Sequence, residues 1–304
     1  MEKVQISAIL LLLAVFPALA QHIEPVPYGD FEQWTARQIK ESAIIGGETK
    51  TVYTVGPHGN TPWASSNAVA KVGGVTKTSC TVEPAKGPSG NCASLTTRFA
   101  SCKVAGIVDI SVIATGSIYW GRMLEPVTGV KNPYSFMDWG IPFTRRPSAI
   151  ILDCKADMPC TGILVKGTTF SHKEFPGEDP CQIMLILQRR WEDENGNIHA
   201  LRVGTAFRRI RKSTDGWVIG LKVPVIYGDA RQNPAYKSYM GLNSTLYALN
   251  SRGQRKPIIE EGWADADSPV THAVLQISAG SCGSFVGALD NTIYVDNICL
   301  EYPQ

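Results

Sequence analysis

Apolar and polar positions along this chain follow the period of β-strands. Ile107–Ile113 and Ser148–Cys154 are β-branched runs too brief to make an amphipathic helix. Cys181–Trp191 and Ile198–Ile210 read as the arms of a hairpin, with Asn195-Gly196 between them as a type I′ turn signal. Trp217–Ile226, Thr271–Ser278 and Thr292–Glu301 follow as further strands. Helical spacing is scarce, and only Trp34–Ser42 suggests a short helix. Glycines and prolines, 28 and 19 of them, punctuate the runs. Many strands at short spacing with such turns predict an all-β fold, a jelly-roll β-sandwich with long loops. Residues 228–268 break the pattern: they are polar, hold Pro234 and Pro257, and read as an insertion. The last strands are needed to close a sandwich, so one domain over residues 21–304 is expected.

The first twenty residues differ from the rest. A charged start (Glu2, Lys3) leads into an apolar run from Ile6 to Phe16, followed by Ala18 and Ala20 in an A-x-A arrangement. These are the three regions of a secretory signal peptide, with cleavage expected after Ala20. The run falls short of the roughly 20 residues that span hydrocarbon. The mature chain is therefore expected to be exported and not membrane-spanning, to the periplasm or to the cell surface and extracellular space.

Composition narrows the function. Lys and Arg number 29 against 27 Asp and Glu, a formal charge of +2 that lacks the basic footprint of a nucleic-acid binder. The basic stretch Arg208–Lys212 is expected to be a solvated face paired with the acidic Glu192-Asp193-Glu194. Eight cysteines in an exported chain favour disulfides but leave 105 full pairings open. Short loops suggest Cys80 with Cys92 and Cys154 with Cys160; buried free thiols are the alternative. No close cysteine pair with zinc spacing is present.

No zinc-protease, nucleophile-elbow, phosphate-loop or dinucleotide motif occurs, and the five histidines have no ligand spacing. Carboxylates such as Asp138, Glu260-Glu261 and Asp265/Asp267 cannot be paired in space from sequence, as glycoside hydrolysis would require. The seven tryptophans are more suggestive, several lying beside turn residues. Sugar rings present flat C–H faces to aromatic rings, and their hydroxyls need amide, carboxylate or guanidinium partners. Trp63 near Asn67, and Trp139 near Asp138 and Arg145, suit that role; packing in the core is the alternative.

Short motifs in a fixed order sharpen this picture. Gly29-Asp30-Phe31-Glu32-Gln33-Trp34 opens the mature chain, and Pro62-Trp63-Ala64-Ser65-Ser66-Asn67 follows. Then come Gly140-Ile141-Pro142-Phe143-Thr144-Arg145-Arg146-Pro147, Gly283–Ala288 and Thr292–Asn297. The series resembles a family of exported Bacteroidetes proteins, the putative carbohydrate metabolism domain (PCMD) family. The chain departs from it at Leu152-Asp153-Cys154-Lys155, where the family often has a tyrosine-rich strand. The resemblance implies a jelly roll akin to carbohydrate-binding modules and a link to glycan use. In related jelly rolls a calcium ion often ties the first strand to the last; Glu32, Asp296 and Asp30 are the matching oxygen donors here. The expected function is glycan binding without catalysis, with a polysaccharide or oligosaccharide as partner. The alternatives are a glycoside hydrolase or polysaccharide lyase on the same scaffold, or a structural or adhesive surface protein.

Overall fold

The computed structural model describes residues 22–104, 108–129, 131–167 and 172–303, without the side chains of 102–104 and 108–110. The expected leader, Ile107 and the Cys102 side chain lie outside the described residues.

The chain folds as the all-β sandwich that its periodicity predicts. One sheet has six strands, in the order Val218–Pro224, Ala149–Asp157, Thr292–Tyr302, Asn91–Thr96 and Val82–Lys86, with His22–Pro25 also paired to Thr292–Tyr302. The other has ten, with Ser117–Met123, His272–Ser278, Cys181–Glu192 and Ile198–Ile210 side by side at its centre. Strands far apart in the chain thus lie side by side in each sheet.

Side-chain alternation fills the space between the sheets. Ile150, Leu152, Cys154 and Ala156 face Ile183, Leu185 and Leu187, with Ile118, Leu275 and Ile277 beside them, in one buried cluster. The intervening residues of the ten-stranded sheet are also apolar. Met184, Ile186, Val274, Tyr119 and Ala200 form a second buried cluster on its outer face. That face cannot be left to water. Trp139, Leu246, Ala248 and Ile258 cover part of it.

The segment 228–268 supplies much of this cover, and it is more ordered than an inserted loop. It contains Tyr247–Leu249 and Arg255–Trp263, and the latter runs parallel to Ile198–Ile210. A buried ion pair anchors it. Arg202 and Glu260 have fully buried side chains, and Arg202 donates from Nε to Glu260 Oε1 at 2.7 Å and from Nη2 to Oε2. Gln188 Nε2 and the Asn243 backbone N–H also donate to this carboxylate, each at 2.6 Å.

Four local expectations are corrected. Trp34–Lys40 is a strand, because it pairs residue for residue with the Thr-rich Thr49–Val55. The long hairpin is present, but Glu192 pairs with Ile198, leaving a five-residue loop instead of a two-residue turn. Within it only Gly196 is left-handed, and Asp193 Oδ1 accepts from the backbone N–H groups of Asn195 and Asn197. The same register puts the basic stretch at the far end of the hairpin from Glu192-Asp193-Glu194; Arg211 pairs instead with Glu178 at 2.5 Å. The seven described cysteines are free thiols: Cys154 is buried in the core whereas Cys160 is exposed beyond the strand. Burial pushes Cys154 up to about 11 and Cys181 up to about 12, which suppresses their thiolates.

Removing one member of the buried Arg202–Glu260 pair strands the other charge. Glu260→Ala is expected to cost about 3–5 kcal/mol of stability, read from urea denaturation. A loss below about 1 kcal/mol would show that this pair does not anchor the cover.

Candidate functional site

The cover over the outer face is incomplete. Above the apolar cluster, strand alternation aims Gln182, Arg209, Gln276 and Ser278 outward, and register places them in adjacent rows. Gln182 stands opposite both Arg209 and Ser278, and Met184 stands opposite Phe207 and Gln276. These residues line a cavity of about 250 Å³, roofed by Tyr134 and by Tyr239, Asn243 and Thr245 of the 228–268 segment.

The polar groups are held for use. Arg209 Nε donates to Gln182 Oε1 at 3.0 Å, and its guanidinium lies 4.2 Å from the centre of the Tyr239 ring. Stacking and the amide fix its plane while leaving other N–H groups to meet a ligand. Burial lowers the Arg209 pKa from its ordinary value, with Tyr239 opposing. One wall is the loop after Ser278. Asp179 accepts there from the N–H groups of Ser281, Cys282 and Ala288 at 2.6, 2.9 and 3.1 Å. Gly280 is needed at this point, because a Cβ would lie 2.2 Å from Asp179 Oδ2.

Of the residues singled out in the sequence, Trp139 lines this cavity. It is 3% exposed and stacks on Tyr119, the ring centres 4.4 Å apart. Trp63 is 2% exposed, packs on Trp120 and Phe31, and donates from Nε1 to Pro27 O at 2.8 Å. It offers no ring face to solvent. Asn67 is buried as well. Its Oδ1 accepts from the N–H groups of Thr81 and Val82, and its Nδ2 donates to Tyr53 O and Val82 O. Asp138 accepts from Arg122 and from the Leu249 N–H. Arg145 lies elsewhere, in a second cavity of about 710 Å³ bordered by Tyr28, Trp120, Phe143 and Tyr302. It stacks 3.7 Å over the Tyr302 ring and pairs with Glu24, and this bond holds Glu24 at about 2. Of the seven tryptophans, three are buried, three are half-buried and Trp191 is exposed, stacked on His199.

Two of the expected calcium donors, Glu32 and Asp296, accept hydrogen bonds within the protein. Glu32 accepts from both the backbone and the side-chain nitrogen of Asn91, at 2.8 and 2.9 Å. Asp296 is buried and accepts from the Asn297 N–H. Among the described residues no group of three or more His, Cys, Asp or Glu is placed to hold a metal. The carboxylates remain close enough to repel. Burial, with Asp153, Glu32 and Asp30 adding to it against the Asn297 N–H, pushes Asp296 up to about 6.

The geometry defines a class, an all-β sandwich with a polar cavity on the outer face of its larger sheet. Residues 30–206 match the family described as "Putative carbohydrate metabolism domain" (PCMD), and the chain belongs to that family. Two similar crystal structures are described as putative glycoside hydrolases. The one from Bacteroides vulgatus has a TM-score of 0.52 at 12% identity, covering 93% of this chain and 98% of that one. The one from Bacteroides thetaiotaomicron has a TM-score of 0.49 at 19% identity, covering 89% and 71%. At 12% identity the first likeness is one of fold. No curated protein matches the chain. Among the described residues no helix is long and apolar enough to cross a membrane.

Because the folded-state pKa of Asp296 lies above its ordinary 3.8, folding favours the protonated form. Its contribution is full below 3.8 and is lost as pH rises through about 6. Asp296→Asn is therefore expected to flatten the fall in melting temperature over that window. A fall that is just as steep in Asp296→Asn would overturn this account.

Proposed function

We propose that this protein binds a glycan, without cleaving it, in the cavity on the outer face of the ten-stranded sheet. The observation that carries the reading is the lining. Two glutamines, an arginine, an asparagine and hydroxyl side chains converge there beside the rings of Phe207 and Tyr239. Amides and hydroxyls both donate and accept, as sugar hydroxyls do, and the rings suit the C–H faces of a sugar. Glycoside hydrolysis needs two carboxylates across the scissile bond. No Asp or Glu is among the described residues lining this cavity, which favours binding over hydrolysis. Membership of a carbohydrate-metabolism family gives the reading its substrate class.

The protein acts outside the cytoplasm as one sandwich domain, after removal of residues 1–20. Protein recovered from the periplasm or medium is expected to begin at Gln21; recovery with Met1 in place would refute export by this leader.

Binding is tested by retention on a panel of polysaccharides, followed by titration of the retained glycan. Arg209→Ala and Gln276→Ala are each expected to weaken affinity with unchanged melting temperature. Arg209→Ala should have the larger effect, roughly 10–100-fold, because a hydrogen bond to a charged group is worth about 1.5–3 kcal/mol. Undiminished affinity in both variants, or retention on no polysaccharide, would reject the site.

A further inference from the structure

The polar cavity does not end at its own walls. Tyr134, Trp139, Gln276, Ser278, Gly280 and Cys282 also line a second cavity of about 300 Å³, so the two adjoin. The second chamber differs in chemistry. It lies between the hairpin formed by Ala68–Val72 and Val75–Ser79 and the strand Ser117–Met123. Alternation turns Ala68, Ala70 and Val72 to one face of that hairpin, and register puts Val75 and Lys77 opposite Val72 and Ala70. Val112, Met123, Val127 and Phe285 complete the wall. Lys77 is the one charged side chain among the described lining residues, and its Nζ is held by Glu41 at 2.9 Å.

Protein interiors close over apolar surface, and voids larger than a water molecule are few. An apolar chamber of this size, opening beside a polar one, is matched by a ligand with the same two halves. Trp139 stands in the wall common to both. Its Nε1–H is buried with no acceptor, a donor that an oxygen at the junction of such a ligand could satisfy.

We infer that the ligand is an amphipathic glycan, a sugar carrying an acyl, alkyl or aryl substituent, with the sugar among Gln182, Arg209 and Gln276 and the apolar group in the Val112–Phe285 chamber. This rests on the glycan reading above and deepens it. Each methylene taken from water contributes a roughly fourfold gain in affinity until the chamber is full.

The test titrates the protein with methyl, butyl, hexyl and octyl glycosides of glucose, galactose and mannose below their micelle concentrations, with 1-hexanol as control. The expected result is affinity that climbs with chain length for at least one sugar and exceeds that for hexanol. Filling the chamber by Val112→Trp, or by Ala70→Trp should the first fail to fold, is expected to drive the octyl-to-methyl ratio toward one. Saturable binding that is indifferent to chain length overturns this inference and leaves the glycan reading standing. Hexanol binding as tightly as the hexyl glycosides overturns the inference, because the sugar then adds nothing, and polysaccharide retention decides the glycan reading. Binding of no glycoside of any length overturns the inference, while polysaccharide retention still decides the broader reading.

Discussion

The structure depends on a sheet that is apolar on both faces. Ile183-Met184-Leu185-Ile186-Leu187 are all buried, the odd positions against the opposing sheet and the even positions on the outer side. A strand with one wet face alternates; a continuous apolar run requires cover on both sides. The opposing six-stranded sheet gives the first cover. The second is assembled from unrelated pieces: the Ala68–Ser79 hairpin, the stretch around Trp139 and the 228–268 segment. Such a patchwork leaves gaps, and the two adjoining cavities are those gaps.

The same constraint explains the buried charges. The 228–268 segment presses Leu246, Ala248 and Ile258 onto the sheet, and Glu260 meets Arg202 beside them. A buried pair with further donors from Gln188 and Asn243 ties the segment in one position, although burying two charges is costly in itself. The Glu260 network and the Asp179 loop fix the two flanks of the polar cavity. Tyr239 over Arg209 and Gly280 beneath Asp179 are held from outside the sheet, so the site is shaped before any ligand arrives.

Much of the fold was legible in the sequence. The arms of the long hairpin and the two terminal strands carry β-branched runs bounded by turn residues, and they form where periodicity places them. Trp34–Ser42 reads as a short helix because apolar alternation is weak there; only the pairing of Trp34–Lys40 with Thr49–Val55 decides it. The site was less legible. Nothing in the local sequence separates Trp63, packed on Trp120, from an exposed platform, because burial is set by strands far away in the chain. Arg209 was hidden inside a basic run read as solvated. Hairpin register was the available signal: it sets Arg209 against Gln182 and Phe207 against Met184, turning one arginine of the run toward the outer face. The cavity's roof comes from the segment read as an insertion, and its position follows from the ion pair with Arg202.

The central claim is that the outer-face cavity, and not the larger aromatic hollow around Arg145 and Tyr302, receives the glycan. A crystal structure of the protein with a retained oligosaccharide tests it most directly. The account predicts sugar density bonded to Arg209 and Gln276 beneath Tyr239. Density confined to the hollow between Tyr28, Phe143 and Tyr302, with the outer-face cavity empty, would contradict it.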